Sequence, residues 1–169
     1  NTGLVNLNVR ALILDPSTPA TLYAGTEAGV FKTTDGGKNW AAVNTGLTNT
    51  FVLALGLDPV TPNILYAGTN DGLFKSMDGG LTWNAKNSGL EGNTNILYMA
   101  IDPATPTTIY VANNALVFKS TDGGESWRAL SSPPNEIFIF TLAVSPTTPN
   151  LLYVGTDRGV FAVRSGTSP

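Results

Sequence analysis

The sequence predicts an all-β fold, a β-propeller built from four-stranded antiparallel blades, and three observations predict it. The first is a repeat: Pro16, Pro59, Pro103 and Pro146 each sit in a stretch like "LDPSTP" and recur every 43 or 44 residues. The second is that each repeat consists of short runs of Val, Ile, Leu, Tyr and Phe separated by Pro or Gly clusters, as strands and turns require. The third is that no segment carries a sustained helical period with caps. Four short strands in this span make one propeller blade.

Within the first copy the elements follow in order. Residues 9–15, "VRALILD", form the innermost strand, and the "DPSTP" loop ends it because proline fixes φ and cannot continue a ladder. "TLYAGT" is the second strand, "GVFKTT" the third, and "NWAAV" at 39–43 the fourth. The second strand returns as "LYAGT" at 65–69, "IYVAN" at 109–113 and "LYVGT" at 152–156, and the third as "LFK", "VFK" and "VFA". Blades are expected at about 1–43, 44–87, 88–130 and 131–169. Tyr23, Tyr66, Tyr110 and Tyr153, with Phe31, Phe74, Phe118 and Phe161, hold one blade position each and read as packing residues between blades.

Between the third and fourth strands stand "TTDGGKNW" at 33–40, "SMDGGLTW" at 76–83 and "STDGGESW" at 120–127. This Ser/Thr-x-Asp-x-Gly-x-x-Trp pattern resembles the Asp-box, or BNR repeat, of sialidases, two-domain xyloglucanases, sortilin-type receptors and a photosystem II assembly factor. The resemblance covers essentially the whole chain. It implies the propeller fold, with the boxes on the blade periphery away from any central site, and it does not select a function, because these families do unrelated things. From the residues themselves, Asp35, Asp78 and Asp122 read as turn acceptors of backbone N–H groups. Gly37, Gly80 and Gly124 supply conformations closed to a Cβ, and Trp40, Trp83 and Trp127 wedge against neighbouring strands while the indole N–H finds a carbonyl. One carboxylate per box does not make a calcium loop, and no metal or cofactor is expected.

Composition removes several classes of function. Nine Lys and Arg against twelve Asp and Glu give a net charge of −3, scattered, with no basic footprint for nucleic acid. The absence of Cys and His removes thiol nucleophiles, imidazole bases, disulfides and the commonest zinc ligands. No apolar run is long enough to span a bilayer, so membrane insertion is not expected. The chain starts at Asn1 rather than Met, which suggests a leader or a longer N-terminal part removed, and a secreted, periplasmic or cell-surface location.

A residue repeated in every copy serves the copy, whereas one that breaks the pattern is free for other work. Of fifteen aromatics, only Phe51, Tyr98, Phe138 and Phe140 fall outside the repeated positions. In an up-and-down blade the Pro loops and the boxes share one face. The opposite face holds the turns between second and third strands and the blade connections, and these vary. That face supplies the polar candidates Glu27, Asn70, Asp71, Asn113, Asn114, Asp157 and Arg158. Arg10 is the one charge inside an inner strand, where the other copies have Leu53, Leu97 and Phe140, and is expected either at the pore, in contact with an anion or carboxylate, or at a solvated strand end.

Catalysis is not expected. A sialidase-like site would need three converging arginines, yet Arg10, Arg128, Arg158 and Arg164 fall on an inner strand, an outer strand, a turn and the end of a third strand. A xyloglucanase-like site would need two carboxylates facing across a cleft between two propellers, whereas Asp15, Asp58 and Asp102 belong to the Pro loops. The fourth unit runs "FAVRSGTSP", with Ser165 at the Asp position and no box or outer strand, while "NTGLVNLN" at the N-terminus aligns with "NTGLTNTF" at 44–51. The ring is then expected to close with four blades, by pairing of two chains, or within a longer propeller. The expected function is a non-catalytic extracytoplasmic binding or scaffold module for a protein or glycan partner. The alternatives are a fragment of a glycoside hydrolase propeller and a self-associating subunit of a surface assembly.

Overall fold

The computed structural model describes residues 1–90, 94–130, 137–148 and 150–164. It contains β-strands and turns, arranged as four antiparallel sheets in chain order. The first sheet holds β1 (Val9–Leu14), β2 (Leu22–Thr26), β3 (Gly29–Thr33) and β4 (Ala41–Ala42). The second holds β5 (Val52–Leu57), β6 (Leu65–Thr69), β7 (Gly72–Ser76) and β8 (Asn84–Ala85). The third holds β9 (Tyr98–Ile101), β10 (Ile109–Ala112), β11 (Val117–Ser120) and β12 (Arg128–Ala129), and the fourth β13 (Ile139–Val144), β14 (Leu151–Thr156) and β15 (Gly159–Arg164). This is the propeller architecture read from the repeat. The position of Ser165 and parts of the connections at 87–95 and 131–138 lie outside the described residues.

Two expected boundaries shift. The outer strand, predicted over 39–43, keeps only Ala41 and Ala42 in the sheet, paired with Lys32 and Phe31. The reason lies in Trp40, whose backbone N–H turns away to the carbonyl of Thr2, 2.7 Å off; Trp83 and Trp127 do the same to Thr45 and Ser88. Each outer strand thus joins the "NTGL" segment that leads into its own blade. Gly3, Gly46 and Gly89 take positive φ in that segment, and a Cβ on Gly89 would fall 2.0 Å from the Trp127 carbonyl oxygen. Glycine is required there by close approach as well as by dihedral.

The blades stack through three apolar interfaces. Tyr23 and Val30 of the first blade pack with Leu55, Leu65, Phe74 and Trp83 of the second. Tyr66 and Leu73 then meet Ile96, Ile109, Phe118 and Trp127, and Tyr110 and Val117 meet Ile139, Leu152 and Val154. The repeated tyrosines therefore point into the following blade. The inner strands β1, β5, β9 and β13 neighbour one another in sequence around an axis. Among the described residues, the inner strands of the first and fourth blades are not packed on each other as those of successive blades are. Val9 on the first blade and Tyr153 and Val160 on the fourth remain exposed where their copies are buried, and Leu12 and Leu14 are exposed where their copies are buried or half-buried.

Candidate functional site

The Asp-boxes are built as turn staples. The Asp35 carboxylate accepts the backbone N–H groups of Lys38 and Asn39, the Asn39 side-chain amide and the Thr33 hydroxyl. Asp78 accepts the Thr82 N–H and the hydroxyls of Thr82 and Ser76, and Asp122 accepts the Ser126 N–H and the hydroxyls of Ser126 and Ser120. Donors converging on a carboxylate favour its charged form. The Thr82 hydroxyl foremost holds Asp78 at about 2, and the Ser126 hydroxyl foremost holds Asp122 at about 2. Asp35, bonded first by the Asn39 N–H, lies lower still. Gly37, Gly80 and Gly124 all sit at positive φ. The indoles of Trp83 and Trp127 donate across to the carbonyls of Val43 and Lys86 in the preceding blade, at 2.8 and 2.9 Å.

The acids of the Pro loops are likewise internal. Asp15 accepts from Ser17 and Thr18, Asp58 from Val60 and Thr61, and Asp102 from Ala104 and Thr105. Between the inner strands at this end lies a cleft of about 420 Å³, lined by Ile13, Leu57, Met99, Ile101, Val144, Pro59, Pro103 and their neighbours. The side chains that line it are apolar. It presents no pair of carboxylates to a glycosidic bond.

The opposite face gathers the residues that break the repeat. In β1, β5 and β13 the register slips by one residue at Arg10, Leu53 and Phe140. A bulge there re-aims one side chain per strand, at the strand end near the turns. Arg10 pairs inside its own blade: Glu27 accepts its guanidinium at 2.5 Å and the Asn8 amide at 2.6 Å. The Arg10 hydrogen bond foremost lowers the Glu27 carboxyl below its ordinary range. Arg10 also stands 5.8 Å above the ring of Phe51, which is half-buried.

The remaining candidates divide by burial. Asn113 is buried, its side-chain oxygen accepting from Ala115 and Leu116, so it shapes its own turn. Tyr98 packs half-buried against the cluster of Tyr110 and Ile139. Asn70, Asp71, Asn114, Asp157 and Arg158 are exposed on the turns. Phe138 and Phe140 are 59% and 55% exposed. Backbone bonds bring several of these together: Ile139 N–H donates to the Asn114 carbonyl, while Phe138 and Asp157 exchange bonds at 2.8 and 3.1 Å. One patch at the mouth of the third and fourth blades thus holds two phenylalanine rings, an amide, a carboxylate and, one residue on, Arg158.

Two devices were not legible as sites in the sequence. Lys32 and Lys75 donate to the carbonyls of Gly79 and Gly123 in the next box, beside the tyrosines. Asn44 and Asn87 accept the backbone N–H groups of Val30 and Leu73. Their signal was the repetition of Lys in "VFK" and of Asn in "NTGL" and "NSGL".

Four consecutive antiparallel sheets around an axis, three of them closed by Asp-box staples, define an Asp-box β-propeller module. The chain carries the repeat of the Asp-box, or BNR, propellers and matches a model of that family over about half its length. The family described as photosynthesis system II assembly factor YCF48 matches residues 52–135. Among solved structures, an ancestral GH74 enzyme aligns over 96% of this chain and 23% of its own, at 24% identity and a TM-score of 0.80. The GH74 enzyme of Niastella koreensis aligns over 90% and 26%, at 32% identity and a TM-score of 0.69. The extracellular domain of a hybrid two-component system from B. thetaiotaomicron aligns over 96% and 21%, at 18% identity and a TM-score of 0.74. The chain spans about a quarter of the length of each. No curated protein matches it.

Proposed function

We propose that this chain is a non-catalytic, extracytoplasmic binding module that recognises a glycan or protein partner through the face of variable turns and connections. The observation that carries the reading is the exposure of Phe138 and Phe140. The repeated Tyr, Phe and Trp side chains of the second and third blades are buried, whereas these two rings face water beside Asn114, Asp157 and Arg158. Aromatic faces rimmed by a few polar groups suit a stacked sugar ring or an apolar side chain. An extracytoplasmic setting is in keeping with the extracellular sensor domain that shares the fold.

Affinity electrophoresis through gels containing soluble β-glucans, xyloglucan included, tests this with a parallel assay for released reducing ends. Retardation without release, lost in Phe138→Ala and Phe140→Ala, is the expected result. Retardation by a protein partner but no polysaccharide would move the reading to protein recognition. Release of reducing ends would overturn it in favour of a second reading, a piece of a glycoside hydrolase propeller. The identity of 32% to the Niastella koreensis GH74 enzyme favours that second reading. The hydrogen-bonded state of Asp15, Asp58 and Asp102 weighs against it.

A further inference from the structure

We infer that Phe138 and Asp157 form a seat for an arginine side chain of a protein partner, and the first two blades hold the occupied form of that seat. It lies on the variable face, so it rests on the proposed function and selects protein over glycan within it. Arg10 of the first blade stands 5.8 Å above the ring of Phe51, which precedes the inner strand of the second. The Glu27 carboxylate, on the turn of the first blade, holds the guanidinium in that place. A cation over an aromatic face is attracted by the ring quadrupole. A guanidinium, planar and weakly hydrated, stacks there better than an ammonium.

Phe138 is the copy of Phe51, set just before β13 as Phe51 is before β5. The blade that precedes it lacks the cover. Leu97 stands at the position of Arg10 and Asn114 at that of Glu27, so the third blade supplies neither a guanidinium nor the carboxylate that would hold one. The difference lies at a joint between two blades of the chain itself. Phe51 is half-buried there by comparison, whereas Phe138 is exposed. A carboxylate reaches this ring from its own blade instead. Asp157, on the turn between β14 and β15, accepts the Phe138 N–H at 2.8 Å and is thereby anchored beside the ring. Among the described residues Asp157 forms no ion pair, and Arg158, exposed on the same turn, stands over no ring. Ring and charge are both open to a cation from outside.

Weak-affinity chromatography of the intact protein on immobilised arginine and immobilised lysine, at physiological ionic strength, tests this. The expected result is stronger retention on arginine, reduced about two- to fivefold in Phe138→Leu, which leaves the net charge unchanged. Asp157→Asn keeps an oxygen for the Phe138 N–H but removes the charge, and should lose retention too. Arg10→Ala should gain retention on arginine more than on lysine, because it uncovers Phe51 and frees Glu27. Unchanged circular dichroism shows that each variant is folded. Equal retention on the two resins, an arginine preference that survives Phe138→Leu, or no gain in Arg10→Ala would overturn the inference. Electrophoresis of the same variants in β-glucan gels tells this failure from failure of the proposed face. Retardation by glucan, lost in Phe138→Leu, without preference for arginine overturns the arginine seat and leaves the face standing.

Discussion

The hydroxyl of Tyr66 donates to the carbonyl of Gly123, one blade further on, at 3.0 Å. Lys75 reaches the same oxygen at 2.8 Å, and Tyr23 with Lys32 repeats the pair at Gly79. These boxes therefore staple their own blade and seat the preceding one. Burial pushes the Tyr66 phenol up, which keeps it a neutral donor. Tyr66→Phe leaves the carbonyl with Lys75 and should cost about 1 kcal/mol, the net worth of one hydrogen bond. Tyr66→Ala opens a cavity between two blades and should cost about 3–5 kcal/mol. Urea unfolding of the two variants checks the ratio, and equal losses would contradict it.

Acid should unfold the protein through the boxes. Asp78 and Asp122 lie at about 2 in the folded chain, below the ordinary 3.8. A depressed carboxylate contributes stability that is complete above its unfolded value and is lost as pH falls through the folded one. Thermal midpoints should hold level between about pH 5 and 8, where a chain without histidine has no imidazole to titrate. They should then fall from about pH 4 toward 2. Asp78→Asn and Asp122→Asn should start less stable at neutral pH and show a shallower acid slope. Melts followed by circular dichroism across that range are the check.

Two glycines of like dihedral should respond differently to alanine. Gly36 has φ of +71° with open space where a Cβ would go, so Gly36→Ala should cost about 1–2 kcal/mol, the left-handed penalty alone. Gly89 has φ of +90° and the Trp127 carbonyl oxygen 2.0 Å from that point. Gly89→Ala must also move the backbone that holds the outer strand, and its loss should clearly exceed that of Gly36→Ala. Chemical denaturation of the pair measures the difference.

The fold was legible because the chain states it four times. Comparing copies separated the staples Asp35, Asp78 and Asp122 from the variable face without any other protein. The same comparison stopped short where a residue serves the next blade instead of its own, as Lys75 and Asn87 do, since sequence position does not reveal which neighbour a side chain reaches. Asn113 looked like a variable polar residue, yet its side chain closes its own turn. Arg10 looked free to meet a ligand, and Glu27, itself a candidate, answers it across the sheet. Pairings of this kind depend on the bulge in β1, and one extra residue in an inner strand leaves no mark in the composition.

The measurement that tests the account most directly is affinity electrophoresis in β-glucan gels of the native protein, Phe140→Ala and Asp78→Asn, with each thermal midpoint recorded at neutral pH. The account predicts that Phe140→Ala loses retardation with its midpoint unchanged, while Asp78→Asn melts lower and is retarded like the native protein. Retardation lost in Asp78→Asn and kept in Phe140→Ala would contradict it, because the box would then be the site and the variable face would not.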